Sequence, residues 1–227
     1  AAGPYISNDY GETWRLAVIG QGDWSKGRAV AFDPRNSLQR AYYAGWHGDF
    51  YVSSDNGSSW VESNSGLGVS HIFPNGIAIQ PDNPAILYLA DFTEGPAGVM
   101  KSTDAGISWS PAGLSSKNVY SVATSTKALL AGTYLDGIYR STDGGGSWSP
   151  TQAGILNAQV TGLAFPQSQV ILAGTLGEGV RRSNDGGATW SAFNNNLNSR
   201  EINQLVTDPA SPDIIYALTN DQGLWRI

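Results

Sequence analysis

The chain has no cysteine and only two histidines in 227 residues. The missing thiols exclude a disulfide framework, a thiolate nucleophile and cysteine-ligated zinc. Charge is also scarce, at 14% of residues against about 25% in an ordinary soluble domain. Bases are the rarer sign: 13 Lys plus Arg against 19 Asp plus Glu, a net charge of −6. Phosphate backbones need a basic face, so nucleic acid is excluded as a partner. No apolar run approaches the roughly 18 residues of a membrane span, so no membrane insertion is expected. No segment sustains a 3.6-residue apolar period, so helices should be nearly absent. What the chain does hold is glycine (28 residues), aromatics (11%) and hydrophobic residues (41%). That is enough apolar surface for a sizeable core and too much for a disordered chain.

The sequence repeats itself. The octapeptide Ser-x-Asp-x-Gly-x-x-Trp occurs five times, over Ser7–Trp14, Ser53–Trp60, Ser102–Trp109, Ser141–Trp148 and Ser183–Trp190. Its aspartates are Asp9, Asp55, Asp104, Asp143 and Asp185, spaced by 46, 49, 39 and 42 residues. Around each octapeptide run short β-rich segments separated by Gly, Asn, Asp and Pro. Within the octapeptide, Asp suits a turn closed by hydrogen bonds from amides two residues on. Gly supplies positive φ. The tryptophans, Trp14, Trp60, Trp109, Trp148 and Trp190, read as core residues packed between neighbouring sheets. The aspartates read as structural, because a Ca²⁺ loop needs more carboxylates than these turns offer.

Four antiparallel strands per period of about 40–45 residues describe a propeller blade. The octapeptides resemble those of the Asp-box, or BNR, repeat family, which includes xyloglucanases, sialidases, sortilin-type receptors and photosystem II assembly factors. The resemblance covers nearly the whole chain. It implies a turn between the third and fourth strands of each blade, on the face away from the active site. Counting gives five first, five second and five fourth strands but six third strands. Both Gly3–Ser7 and Gly223–Ile227 fit as third strands. The expected fold is all-β: a five-bladed propeller of four-stranded antiparallel blades, its ring closed by an N-terminal outer strand in the last blade. One domain over 1–227 is expected, with blades near 19–66, 67–114, 115–155, 156–197, and 198–227 plus 1–18. A fragment of a larger six- or seven-bladed ring is the alternative that the duplicated third strand raises.

Chemistry is expected at the opposite mouth. The loops between second and third strands each carry an acid: Asp49, Glu94, Asp136, Glu178 and Asp221. Aligned by repeat they would form a loose ring, although Asp before Gly is also an ordinary turn former. At the start of each first strand, Arg28, Asn75, Tyr120, Thr161 and Asn203 vary while their neighbours Ala29, Gly76, Ser121, Gly162 and Gln204 stay mostly small. Variation at one position of a constant frame suggests a functional rim. Trp24 and Trp46 stand outside the repeat, on loops facing the mouth, where a flat ring can stack on a ligand. His47 and His71 have no metal-ligand spacing, so neither metal nor cofactor is expected.

The favoured reading is therefore a non-enzymatic ligand-binding or protein-interaction propeller. Its candidate site is Trp24, Arg28, Trp46, Asp49, Asn75, Glu94, Tyr120, Asp136, Thr161 and Glu178, with a glycan, protein or peptide as ligand. The alternative is a glycoside hydrolase, which needs paired carboxylates, with Asp49, Asp136 and Glu178 as candidates. Sialidases of the resembled family use three arginines and a Tyr nucleophile. Arg28 and Tyr120 fit by alignment and Arg200 is a second candidate arginine, but a third is lacking. No basic patch resembles that of the photosystem II factors. A monomer, secreted or periplasmic, is the expectation.

Overall fold

The computed structural model describes residues 4–19, 27–35, 39–45, 49–67, 74–92, 98–151, 154–155, 157–167, 169–208 and 211–227. The chain is an all-β, five-bladed β-propeller, with no helix among the described residues. An N-terminal hairpin of β1 (Tyr5–Ile6) and β2 (Arg15–Leu16) leads through β3 (Val18–Ile19) into the first blade. That blade is β4 (Gly27–Phe32), β5 (Ala41–Gly45), β6 (Phe50–Ser53) and β7 (Ser59–Glu62). The second is β8 (Pro74–Ile79), β9 (Leu87–Asp91), β10 (Gly98–Ser102) and β11 (Ser110–Pro111). The third is β12 (Val119–Thr124), β13 (Leu129–Thr133), β14 (Ile138–Ser141) and β15 (Ser149–Pro150). The fourth is β16 (Gln159–Ala164), β17 (Ile171–Leu176), β18 (Gly179–Ser183) and β19 (Ser191–Ala192). The fifth is β20 (Ile202–Thr207), β21 (Ile215–Thr219) and β22 (Gly223–Arg226). Within each blade, neighbours in sequence pair antiparallel.

Second strands lie between two sheets. Every residue of β5, β9 and β13 is buried, which is why these strands read as continuous apolar runs. At each junction one wall is small and the other large. Ala29, Ala31 and Ala44 of the first blade meet Ile77, Ile79, Leu87 and Leu89 of the second. Ala78 and Ala90 meet Val122 and Leu129 in the same way. The small wall is a steric requirement, because a Cβ on Gly162 would lie 2.8 Å from the Leu205 amide of the next inner strand.

The Asp boxes form the turns from third to fourth strand. In each, the Ser hydroxyl donates to the Asp carboxylate two residues on, at 2.7 or 2.8 Å. The same Ser oxygen accepts from the box glycine amide at 2.7–2.9 Å. The carboxylate then accepts from both the amide and the hydroxyl of the residue before Trp, such as Ser59 at 2.8 and 2.6 Å. The Asp bonds therefore reach four residues on rather than two. Residue four of the box is left-handed even where it is Tyr10, Asn56 or Ala105, with φ of 59°, 57° and 61°. The closed network outweighs the usual penalty of that conformation.

Three boxed tryptophans, Trp60, Trp109 and Trp190, are buried and Trp148 is half-buried. Trp14 departs from the expectation of a core residue, since it is 63% exposed. The cause is positional. Trp109 packs edge-on against Phe50 of the preceding blade at 4.8 Å, and Trp148 Nε1 donates to Ala112 O of the preceding blade at 2.7 Å. Trp14 belongs to the β1–β2 hairpin, a two-stranded sheet of its own rather than part of a full blade, and its Nε1 donates to Gly11 O of its own box.

The expected seam needs correction. The outer strand β2 does not pair with β22. It pairs with β1, the duplicated third strand, and the fifth sheet is three-stranded. Charge is one reason. In every box the residue after Trp sits opposite the residue before Ser, as in Lys101↔Ser110, Arg140↔Ser149 and Arg182↔Ser191. That register on β22 would set Arg15 opposite Arg226, and like charges directly opposite are destabilising. In the structure Arg15 faces Ile6 and donates to Ser58 Oγ at 2.9 Å. Sterics are the second reason. The small wall of the other blades becomes Gln204, Val206 and Leu218 in the fifth, all exposed. The strand β3 adds instead to the first blade, parallel to β7.

The boxes carry a pH dependence. Hydrogen bonds hold Asp9, Asp55 and Asp185 down at about 2, led by the hydroxyl of Thr13, Ser59 or Thr189 and followed by the amide of the same residue. At Asp104 burial opposes the shift, but bonds led by Ser108 outweigh it and the value is again about 2. Asp143 is lowered further, led by Ser147. A depressed folded pKa gives stability that is complete above the unfolded value, about 3.9, and lost as the pH falls through the folded one. Thermal midpoints should therefore fall between about pH 4 and pH 2, and Asp185→Asn should flatten that slope. Asp143 and Asp185 are exposed and the other three only half-buried, so each contributes modestly. A midpoint constant across that window would contradict the network's role.

Candidate functional site

Each first strand carries a β-bulge at the same place. The register slips between Gly27/Ala29, Pro74/Gly76, Val119/Ser121, Val160/Gly162 and Ile202/Gln204. The skipped residues are Arg28, Asn75, Tyr120, Thr161 and Asn203, the five variable positions at the mouth. A bulge re-aims a side chain out of the ladder, and bulges concentrate at rims and sites.

The five then diverge. Tyr120 joins Phe92, which follows β9, and Tyr134, which follows β13, in a three-ring cluster. Centroid separations are 4.6 Å for Phe92–Tyr120, 5.6 Å for Phe92–Tyr134 and 5.9 Å for Tyr120–Tyr134. Phe92 meets both tyrosines edge-on, at 65° and 62°, while the tyrosines lie near-parallel at 22°. Tyr134 and the adjoining Leu135 are exposed, so the cluster presents an open apolar surface. Arg28 reaches the same region: burial pulls its guanidinium pKa down, and the charge interaction with Tyr120 opposes this. Thr161 is a bolt between blades, its hydroxyl directed at Gly174 O and at Ile202 O of the next blade. Asn203 donates to Asn220. The Asn75 side chain lies outside the described residues.

The acids resolve into separate pairs. Asp136 closes its loop by donating its amide to Thr133 Oγ1 at 2.9 Å, and its carboxylate accepts from Lys117 at 3.1 Å. Glu178 accepts from Arg181 of its own blade at 3.0 Å. Asp221 accepts from Ser199. Asp49 lies in the first blade beside Tyr43 and Tyr51, where it adds to the upward shift that burial gives both phenols. Trp24, Trp46, Glu94, His47 and His71 lie outside the described residues. Among the described residues no cluster of His, Cys, Asp and Glu could hold a metal ion.

Sequence reasoning missed Phe92 and Lys117. The signal for Phe92 lay next to it. Thr133, Thr175 and Thr219 stand at or one residue before the end of their second strands, and each donates to the carbonyl of the glycine at or just before the start of the third strand. In the second blade that column holds the buried Asp91, followed directly by Phe92.

The fold and its turns define the class: a five-bladed β-propeller with the Ser-x-Asp-x-Gly-x-x-Trp octapeptide in its turns. The BNR/Asp-box repeat family profile matches residues 5–16 and 139–150. An ancestral GH74 enzyme superposes with a TM-score of 0.79 at 21% identity, over 99% of this chain and 33% of that one. A GH74 enzyme from Niastella koreensis gives 0.66 at 19% identity, over 88% and 37%. A YCF48 structure bound to a D1 peptide gives 0.71 at 14% identity, over 98% and 70%. The chain thus spans about a third of the length of the two GH74 enzymes. At these identities the likeness is one of fold. No curated protein matches the sequence.

Proposed function

We propose that this chain is a non-enzymatic binding propeller whose ligand, a glycan or a peptide, docks at the mouth opposite the Asp boxes. The observation that carries this reading is the Phe92–Tyr120–Tyr134 cluster, assembled from two blades, partly exposed and flanked by Arg28. Aromatic faces give contact area at little entropic cost, and a guanidinium beside them fixes orientation. Trp24 and Trp46 belong to the same proposal through their loops. Both a glycan-acting and a peptide-bound propeller share the fold, so fold alone does not choose the ligand. The carboxylates support binding over hydrolysis, because Asp136 and Glu178 are each engaged in a salt bridge with a separate base. A glycosidase needs two carboxylates converging on one bond.

The test is a binding panel of cell-wall oligosaccharides and extended peptides, run with the wild type and Tyr120→Ala. Tyr120→Ala is expected to weaken the hit about tenfold or more with an unchanged melting point. Binding indifferent to Tyr120 would remove the site. Hydrolysis of any oligosaccharide, abolished by Asp49→Asn, Asp136→Asn or Glu178→Gln, would make the protein an enzyme instead.

A further inference from the structure

The column of third-strand residues just before the box Ser holds Lys101, Arg140 and Arg182 in the second, third and fourth blades. Lys101 shows what this column does when its charge is satisfied. Its Nζ donates at 3.0 Å to Gly144 O, in the box of the next blade. Arg140 makes no such bond. Its Nε is buried and without a hydrogen-bond partner. It lines a groove of about 450 Å³, against about 190 Å³ for the groove beside Lys101. The groove lies between the third and fourth blades and is walled by Thr142, Ser147, Ser149, Thr151 and Ala188. Ser149 stands directly opposite Arg140 in the ladder. Ser147 donates to Asp143 and Thr151 to Ile138 O, which leaves the Thr142 and Ser149 hydroxyls to face the groove. The adjoining carboxylate, Asp143, already accepts from Ser141, from the Ser147 amide and from the Ser147 hydroxyl.

A buried donor without a partner calls for an explanation, and an unplaced ion is among the usual ones. The guanidinium fork matches the oxygens of a phosphate or sulfate group, and hydroxyls complete such a cradle. We infer that the groove between the third and fourth blades binds an oxyanion, a phosphate or sulfate group, through the Arg140 guanidinium with Thr142 and Ser149. This site is separate from the mouth and independent of the ligand read there. Arg182, one blade on, also has a buried Nε without a hydrogen-bond partner, so the two arginines are told apart by their surroundings. Arg182 lies over the Phe193 ring at 5.1 Å, and its groove of about 120 Å³ also contains Asp213, which disfavours an anion.

The experiment is a thermal-shift and calorimetric titration of the full chain. Its arms are inorganic phosphate, inorganic sulfate and O-phosphoserine, each against sodium chloride at matched ionic strength. The wild type is expected to gain stability with saturable dependence on the oxyanion. Arg140→Gln should lose that dependence, and Arg182→Gln should keep it. A response to phosphoserine as strong as to free phosphate would mark the site as open to a phosphorylated group, whereas a response to free anion alone would mark an inorganic ion as its occupant. No response beyond sodium chloride overturns the proposal, as does a response kept in Arg140→Gln or lost equally in Arg182→Gln.

Discussion

Trp109→Ala should cost about 3–5 kcal/mol of stability, the range for a buried aromatic truncated in a core, while Trp14→Ala should cost about 1 kcal/mol or less. The two residues occupy the same position of the same octapeptide, so local sequence does not separate them. Burial does. Trp109 is 5% exposed, edge-on to Phe50, and its ring joins the first blade to the second. Its Nε1 has no partner, so truncation strands no acceptor and the loss is one of packing. Trp14 is held by a single bond to its own box. Urea unfolding of the two variants checks the contrast, and equal losses would mean that Trp14 is packed as its repeats are.

Gly66→Ala should cost more than about 3 kcal/mol, because strain and a backbone clash add. Gly66 has φ of +86°, and a Cβ there would lie 2.0 Å from the carbonyl oxygen of Trp109. The obstacle is backbone and cannot swing away. The Ser65 carbonyl beside it accepts from the Trp109 amide at 2.9 Å, so relaxing the clash breaks an inter-blade bond. Gly177 is the control. It has φ of +99° but nothing within 4 Å of an added Cβ. Gly177→Ala should therefore show only the left-handed penalty, about 1–2 kcal/mol. Chemical denaturation of both variants decides, and a Gly66→Ala loss no greater than that of Gly177→Ala would show that the junction yields.

The mouth was partly legible. The variable positions Arg28, Asn75, Tyr120, Thr161 and Asn203 were visible by alignment of repeats, and all five fall on the bulge of their strand. What each side chain does was not visible. Tyr120 builds an aromatic cluster and Thr161 a bond between blades, although both sit at the same repeat position. Phe92 escaped notice because its partners lie 28 and 42 residues away, in another blade. The acids misled in the opposite direction. Similar spacing suggested one ring, yet each follows the nearest base or hydroxyl: Lys117 for Asp136, Arg181 for Glu178, Ser199 for Asp221.

The sequence by itself determined the Asp-box turns, the order of strands within a blade and the number of blades. Those features close within a few residues, through bonds such as Ser53 to Asp55 and Ser59 to Asp55, so the octapeptide contains everything it needs. Only the tertiary structure decided which tryptophan is buried, which tyrosine meets Phe92 and why β2 stays with β1. These depend on contacts between residues far apart in the sequence, 28 positions for Phe92 and Tyr120 and 59 for Phe50 and Trp109, where another blade, and not the local motif, supplies the opposing charge, the small wall or the stacking ring.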